Sequence, residues 1–137
     1  MEILNVSAEC FPIAKVGGLA DVVGALPKYQ KKSGVVSKVI MPFYVTNFLK
    51  DKSFDKDYKG HLKLGKLHYD FEILTLREPL EFPVYFVNIP GLFDRPEVYS
   101  YEDDVERFLA FQLAVLDWMT HLDEKPSIVH AHGHPSC

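Results

Sequence analysis

The stretch that most constrains this chain runs Lys15-Val-Gly-Gly-Leu-Ala-Asp-Val-Val-Gly-Ala-Leu-Pro27. A short apolar run precedes it (Ile3, Leu4, Val6) and a helical pattern follows, so Gly17 and Gly18 fall at a strand-to-helix turn. Glycine lets the backbone come close to a ligand because no Cβ intervenes, and the free N–H groups of a starting helix favour negative charge. Lys15 adds a mobile point charge beside them. The glycine pair serves either to hold a phosphate or only to turn the chain, and the residues alone admit both. The Gly-x-Gly-x-x-Gly dinucleotide fingerprint and a Walker-type Gly-Lys-Ser/Thr are both absent, which disfavours a nicotinamide cofactor. Asp21, in the first helical turn, ranks below Lys15 as a substrate contact, because the helix dipole already accounts for an acid there.

Around this turn the chain reads as α/β. Residues 2–7 predict a buried strand, and the Ser7–Val16 segment, broken by Pro12, a loop. Leu19, Val22, Val23, Leu26 and Tyr29 follow helical spacing up to a stop at Gly34, with Pro27 predicting a bend inside the helix. Ser37–Met41, ended by Pro42, is a second strand, and a strand–helix–strand unit of this kind is parallel and right-handed by default. The polar, lysine-rich region 43–59 reads as an exposed connection with at most a short helix. Two or three strands are expected between residues 61 and 89, a largely buried helix from Glu102 to about Leu122, and a last strand over Ile128–His132. The expected fold is a mostly parallel, Rossmann-like sheet with helices on both faces and an antiparallel addition from residues 61 to 89.

With 137 residues, 47% of them hydrophobic, the chain has material for one domain with a real core and no room for a second. A formal charge of −4 argues against a nucleic-acid binder, and the local group Lys28, Lys31, Lys32 and Lys38 reads as a solvated face. Cys10 and Cys137 give neither a disulfide framework nor a metal spacing, so a cytoplasmic setting fits. No leader pattern is visible, and no apolar run approaches the roughly 20 residues of a spanning helix, so no membrane partner is expected. The sequence stops at Cys137, soon after a strand-like run with no helix to cover it, and the expectation is a shortened chain.

Two further groups carry candidate chemistry. In His130-Ala-His-Gly-His134 the imidazoles alternate, so an extended segment would project them to one side. Zinc ligation is one reading, but no acidic fourth ligand accompanies them and Gly133 would scatter them. The plainer reading puts one histidine at the carboxyl end of a strand, where ligands bind in open α/β sheets, with no metal. Asp94-Arg95, Tyr99 and Tyr101 precede the long helix and could line a sugar site, although most such loops only pack and cap.

The run Ser7-Ala-Glu-Cys-Phe-Pro, followed by Lys15 through Pro27, resembles the N-terminus of bacterial glycogen synthases and plant starch synthases, glycosyltransferase family 5. Leu92-Phe-Asp-Arg-Pro, Asp104-Val-Glu-Arg-Phe108 and Ile128-Val-His-Ala-His132 are similar to the same family, in order along the whole chain. The resemblance implies the incomplete N-terminal half of a two-domain GT-B enzyme, residues 1–137 being part of its N-terminal catalytic domain and the C-terminal nucleotide-binding domain being absent. It implies a retaining glucosyltransferase that moves glucose from ADP-glucose (UDP-glucose in some relatives) to the non-reducing end of an α-1,4-glucan, with no metal or other cofactor. Lys15 matches the family lysine that contacts the nucleotide sugar, and Gly17-Gly18 the glycine pair near its diphosphate. Asp21 matches the motif aspartate, and His130 and His132 the family His-Ala-His. These, with Tyr99, are the candidate cleft residues; no catalytic residue is assigned.

One departure is local: the family usually continues His-Ala-His with Asp-Trp, a carboxylate in the substrate cleft, where this chain has Gly133-His134. The other is global. One wall of a two-walled cleft cannot orient donor against acceptor, and misplacement by about an ångström already costs on the order of a hundredfold, so the isolated piece is expected to be inactive. The competing expectations are a non-catalytic remnant that binds glucan, nucleotide sugar or a partner, and a metal-dependent hydrolase using the tail histidines.

Overall fold

The computed structural model describes all residues except 1, 9, 11, 12, 14–17, 45, 47, 79, 81, 95–100, 124 and 133–137, and leaves the side chains of residues 18, 19 and 132 undescribed. The elements run β1 (Glu2–Ser7), α1 (Gly18–Lys32), β2 (Val36–Pro42), β3 (Phe54–Leu64), β4 (Leu67–Leu76), β5 (Val84–Asn88), α2 (Asp104–Thr120) and β6 (Ile128–His132). All strands join one sheet in the order β3-β4-β5-β2-β1-β6. The pairs β5–β2, β2–β1 and β1–β6 are parallel, whereas β3–β4 and β4–β5 are antiparallel.

A strand with neighbours on both sides must satisfy any polar side chain it buries. Asn5 of β1 is fully buried, and its Nδ2 donates to Ser37 Oγ at 2.9 Å and to Lys38 O at 3.1 Å. Ser37 Oγ in turn donates to Gln30 Oε1 at 2.5 Å, so one network ties β1, β2 and α1. This places α1 on the Ser37 face of the sheet. The other face carries α2: Tyr58 and Tyr69 donate to Asp117 (2.8 Å) and Glu106 (3.0 Å), and the Tyr85 ring lies 4.9 Å from that of Trp118. Helices therefore cover both faces, as expected. Where β3 passes under α2, a Cβ on Gly60 would stand 2.6 Å from Phe71 Cζ and 2.7 Å from Asp117 Oδ2, an approach only glycine allows.

Several expectations are corrected. The antiparallel addition is the β3–β4 hairpin, residues 54–76, while β5 pairs in parallel with β2 and belongs to the parallel half. β3 begins at Phe54, inside the region read as a connection; Asp55, Lys56, Asp57 and Lys59 are exposed residues of an edge strand, whose charges hide the alternation. In α1 the buried side is Ala20, Val23, Gly24 and Pro27, whereas Val22 and Tyr29 face out. Small residues let this helix lie close to the sheet, so the larger apolar groups mark its outer side. As expected, α1 continues as one helix past Pro27; it ends at Lys32, two residues before Gly34, whose φ of 79° is the left-handed conformation that suits glycine. α2 is not buried all round: Phe108, Phe111, Val115 and Trp118 face the sheet, but Val105, Leu109 and Leu116 are exposed. Lys38 separates from the α1 lysines; it sits in β2, 2.8 Å from Glu2 and over the Tyr85 ring.

Candidate functional site

The four parallel strands end on one edge of the sheet, and the segments that leave them gather there. From β1 the chain goes through α1 to β2 on one side; from β5 it passes through α2 to β6 on the other side of β1. The strand order therefore reverses between β1 and β6. In open α/β sheets the crevice outside the carboxyl ends at such a point is where ligands bind.

Packing fixes the walls of this edge. Behind β1, Ala8, Cys10 and Ile13 are buried, and Ile13 N donates to Cys10 O at 2.8 Å. Burial pushes the Cys10 thiol up to about 12, with Lys28 pulling weakly the other way, so this cysteine is an inert packing group and not a nucleophile. Tyr44, just past β2, donates through its hydroxyl to Ala8 O at 2.7 Å in a buried bond. Its ring meets that of Phe93 at 5.8 Å, which extends the framework to the segment after β5. Arg107 completes it. Fully buried in the first turn of α2, it donates from Nε to Leu92 O (2.6 Å) and from Nη1 to Asp104 Oδ1 (2.8 Å). Its guanidinium lies 4.7 Å from the Tyr101 ring centroid and 5.0 Å from that of Phe93, within cation–π range.

The sequence-derived candidates divide sharply. Gly18 opens α1 just beyond the carboxyl end of β1, and Asp21 is an exposed residue in its first turn. His132 ends β6 opposite Ser7, and His130 lies two residues deeper, opposite Asn5, and is exposed. Lys15, Gly17 and Tyr99 fall outside the described residues, as do Arg95 and His134. Asp94 takes a capping role, its Oδ1 accepting from Gly91 N at 2.9 Å, and the Tyr101 ring packs on Arg107. Among the described residues no group of three or more histidine, cysteine or acidic side chains is placed to hold a metal ion.

Reading the residues by themselves missed Tyr44, Phe93 and Arg107, the side chains that set the shape of this edge. The available signal was Arg107 itself, a charge next to Phe108 on the buried side of an apolar helix. A cavity of about 450 Å³ lies along the segment that follows β2, lined by Phe43, Tyr44, Thr46, Leu49, Lys52 and Phe54 among others. A second, of about 310 Å³, lies at the opposite edge near Val35, Val36 and Pro83, away from the crevice.

The family model described as "Starch synthase catalytic domain" matches residues 2–137. The chain belongs to this family. The starch synthase likeness extends to individual relatives: a glycogen synthase of Flavobacterium johnsoniae is 50% identical over 135 residues, covering 98% of this chain and 28% of the relative. A glycogen synthase of Clostridium botulinum (strain Alaska E43) is 38% identical over 138 residues, or 95% of this chain and 27% of that protein. Among solved structures, the catalytic domain of starch synthase IV from Arabidopsis thaliana, bound to ADP and acarbose, superposes with a TM-score of 0.87 at 28% identity. It covers 98% of this chain, which in turn spans 28% of that one. The α/β fold with its mixed six-stranded sheet is thus the fold of part of a starch synthase catalytic domain. The chain spans little more than a quarter of the length of these relatives.

Proposed function

We propose that residues 1–137 form part of the N-terminal catalytic domain of a retaining glucosyltransferase. In this reading glucose passes from ADP-glucose to the non-reducing end of an α-1,4-glucan, in the cytoplasm and without a metal or other cofactor. The carrying observation is the family match over nearly the whole chain, to a fold whose solved relative is described with ADP and acarbose bound. The geometry supports it: α1, with Gly18 at its head, starts at the carboxyl edge beside the β1–β6 reversal. In this reading Lys15 and the backbone N–H groups at the start of α1 would meet charge developing on a departing diphosphate, and stabilisation of that charge is strongest in a closed, dry cleft. His130, His132, Asp21 and Tyr99 are assigned to the sugar side of the same cleft. The framework of Tyr44, Phe93 and Arg107 would hold these segments in register, not touch substrate.

The C-terminal domain is the partner this reading requires, and the fragment alone is assigned no transfer activity. Among the described residues no helix is long and apolar enough to cross a membrane. The test replaces the corresponding part of the Flavobacterium johnsoniae glycogen synthase by residues 1–137 and measures glucose incorporation into glycogen from ADP-glucose. Activity in the chimera, lost in large part on Lys15→Ala through kcat or KM, is the expected result. An inactive but folded chimera overturns the enzyme reading. Transfer at an ordinary synthase rate by the 137-residue chain itself overturns the assignment of inactivity.

A second reading is a non-catalytic module that binds nucleotide sugar or glucan. It predicts saturable ADP-glucose or maltooligosaccharide binding by the 137-residue chain with no product formed.

A further inference from the structure

The β3–β4 hairpin lies at the far edge of the sheet from the β1–β6 crevice. Its register pairs His61 with Asp70 and Lys63 with His68, and strand alternation sends these four side chains to the face opposite α2. There the two imidazoles meet. His61 Nδ1 stands 2.9 Å from Asp70 Oδ1, and His61 Nε2 stands 3.1 Å from His68 Nδ1, with the ring centroids 5.3 Å apart and the planes inclined by 27°, so the rings meet edge to edge. All three residues are exposed.

A carboxylate oxygen only accepts, so His61 donates from Nδ1 to Asp70 and its proton is fixed on that nitrogen. Nε2 then keeps its lone pair and aims it at His68. Between the two rings one proton suffices, His68 Nδ1–H donating to His61 Nε2. When the His68 proton sits on Nε2, the other neutral tautomer, both facing nitrogens hold lone pairs and a metal ion can take the proton's place after a small turn of each exposed ring. An ion at the usual 2.0–2.1 Å from each nitrogen would subtend an angle of about 100° across a separation of this size, which tetrahedral and octahedral coordination both tolerate. Imidazole donors suit zinc, copper and nickel over magnesium or calcium. A carboxylate on the remote nitrogen of a ligating histidine is the usual outer-shell arrangement that fixes the tautomer and raises ligand basicity. Lys63 shares the face and opposes a bound cation, but it is exposed and its long stem can turn the ammonium to water.

We infer that His61 and His68, oriented by Asp70, form a two-histidine site for a zinc-type divalent ion, which clips β3 to β4, with water completing its coordination. The site is separate from the proposed transfer chemistry and independent of it. Two protein ligands make a site weaker than a structural zinc centre, and its physical effect is to brace an edge hairpin against opening.

The test is a Zn²⁺ titration of the full chain, followed by NMR of the histidine ring resonances, which separates this site from the tail imidazoles. Saturable perturbation of His61 and His68 together is expected, with loss on His68→Ala and a ten- to a hundred-fold weakening on Asp70→Asn. Mg²⁺ should leave the rings unperturbed, and far-UV circular dichroism checks that the variants fold. Zn²⁺ effects confined to His130, His132 and His134, or unchanged zinc affinity at His61 after His68→Ala, would overturn the site.

Discussion

Tyr44 donates its hydroxyl proton to the carbonyl of Ala8 over 2.7 Å, and in doing so joins the chain leaving β2 to the chain leaving β1. Both partners are buried, so the bond is made away from water and neither group has solvent as an easy substitute. Because Tyr44 also packs edge-on against Phe93, one side chain sets the spacing of three segments at the carboxyl edge of the sheet.

Tyr44→Phe removes the donor and keeps the ring. We expect a loss of about 1–2 kcal/mol in urea unfolding, from the carbonyl left without its buried donor. A change in midpoint too small to measure would mean that Ala8 O finds another partner.

Arg107→Met keeps the stem and removes the charge, taking away the donor to Leu92 O and the charged donor to Asp104 Oδ1, which keeps the Tyr101 amide. The cost is about 2–3 kcal/mol, the range for losing charge-assisted bonds from a buried guanidinium to a carbonyl and a part-buried carboxylate. Arg107→Lys restores the charge but not the fork or the stacking on Tyr101, and should recover only part of it. Limited proteolysis across residues 89–103 should speed up in both variants, with the methionine form cut faster. Equal resistance to protease in all three proteins would rule out a positioning role for Arg107.

Gly60→Ala puts a methyl group against the Phe71 ring and the Asp117 carboxylate, at separations real Cβ atoms do not show. Overpacking of this kind costs about 1–3 kcal/mol. Since the contact with Phe71 is part of the clash, Phe71→Leu in the same chain should cost less than the sum of the two single changes. Strict additivity in thermal or denaturant unfolding would locate the strain elsewhere.

Cys10 makes stability depend on alkaline pH. Its thiol is raised from 9.0 to about 12 in the fold by burial, the pull of Lys28 being the smaller influence. Below 9.0 both states hold the proton and this group contributes no slope. Above it the unfolded chain ionises while the folded chain does not, so stability falls with rising pH through that window, by up to about 4 kcal/mol. Cys10→Ala should flatten the fall between the parent and variant curves, and thiol alkylation of the native chain at mildly alkaline pH should be slow until unfolding. Rapid native-state alkylation at Cys10 would contradict its burial.

How much could be read without coordinates depended on whether the signal was local. The elements β1, α1 and β2 were legible because each is written in neighbouring residues: apolar run, helical spacing, the stop before Gly34. β3 was not, because an edge strand needs only one apolar face and can be lysine-rich on the other, which from sequence looks like a loop. The buried face of α1 was misread for a similar reason: a close-packed helix buries its small residues, and hydrophobicity alone favours Val22 and Tyr29. At the candidate site, the family pattern named Gly18, Asp21 and the β6 histidines as candidates; it included Arg107 without a role, because Leu92 O and the rings packed on the guanidinium are set by docking, and Tyr44 was silent because its partner Ala8 lies on another segment.

The sequence by itself determined the family and the α/β class, since a long ordered pattern of turn and apolar residues can be met by few folds. It also determined where α1 begins, because glycine's freedom at a turn is a property of the residue. Tertiary structure alone decided that β5 joins the parallel half, that Tyr44 and Arg107 brace the carboxyl edge, and that His61 meets His68. These are contacts between residues set by strand register and helix docking, which are fixed only when many distant groups pack at once.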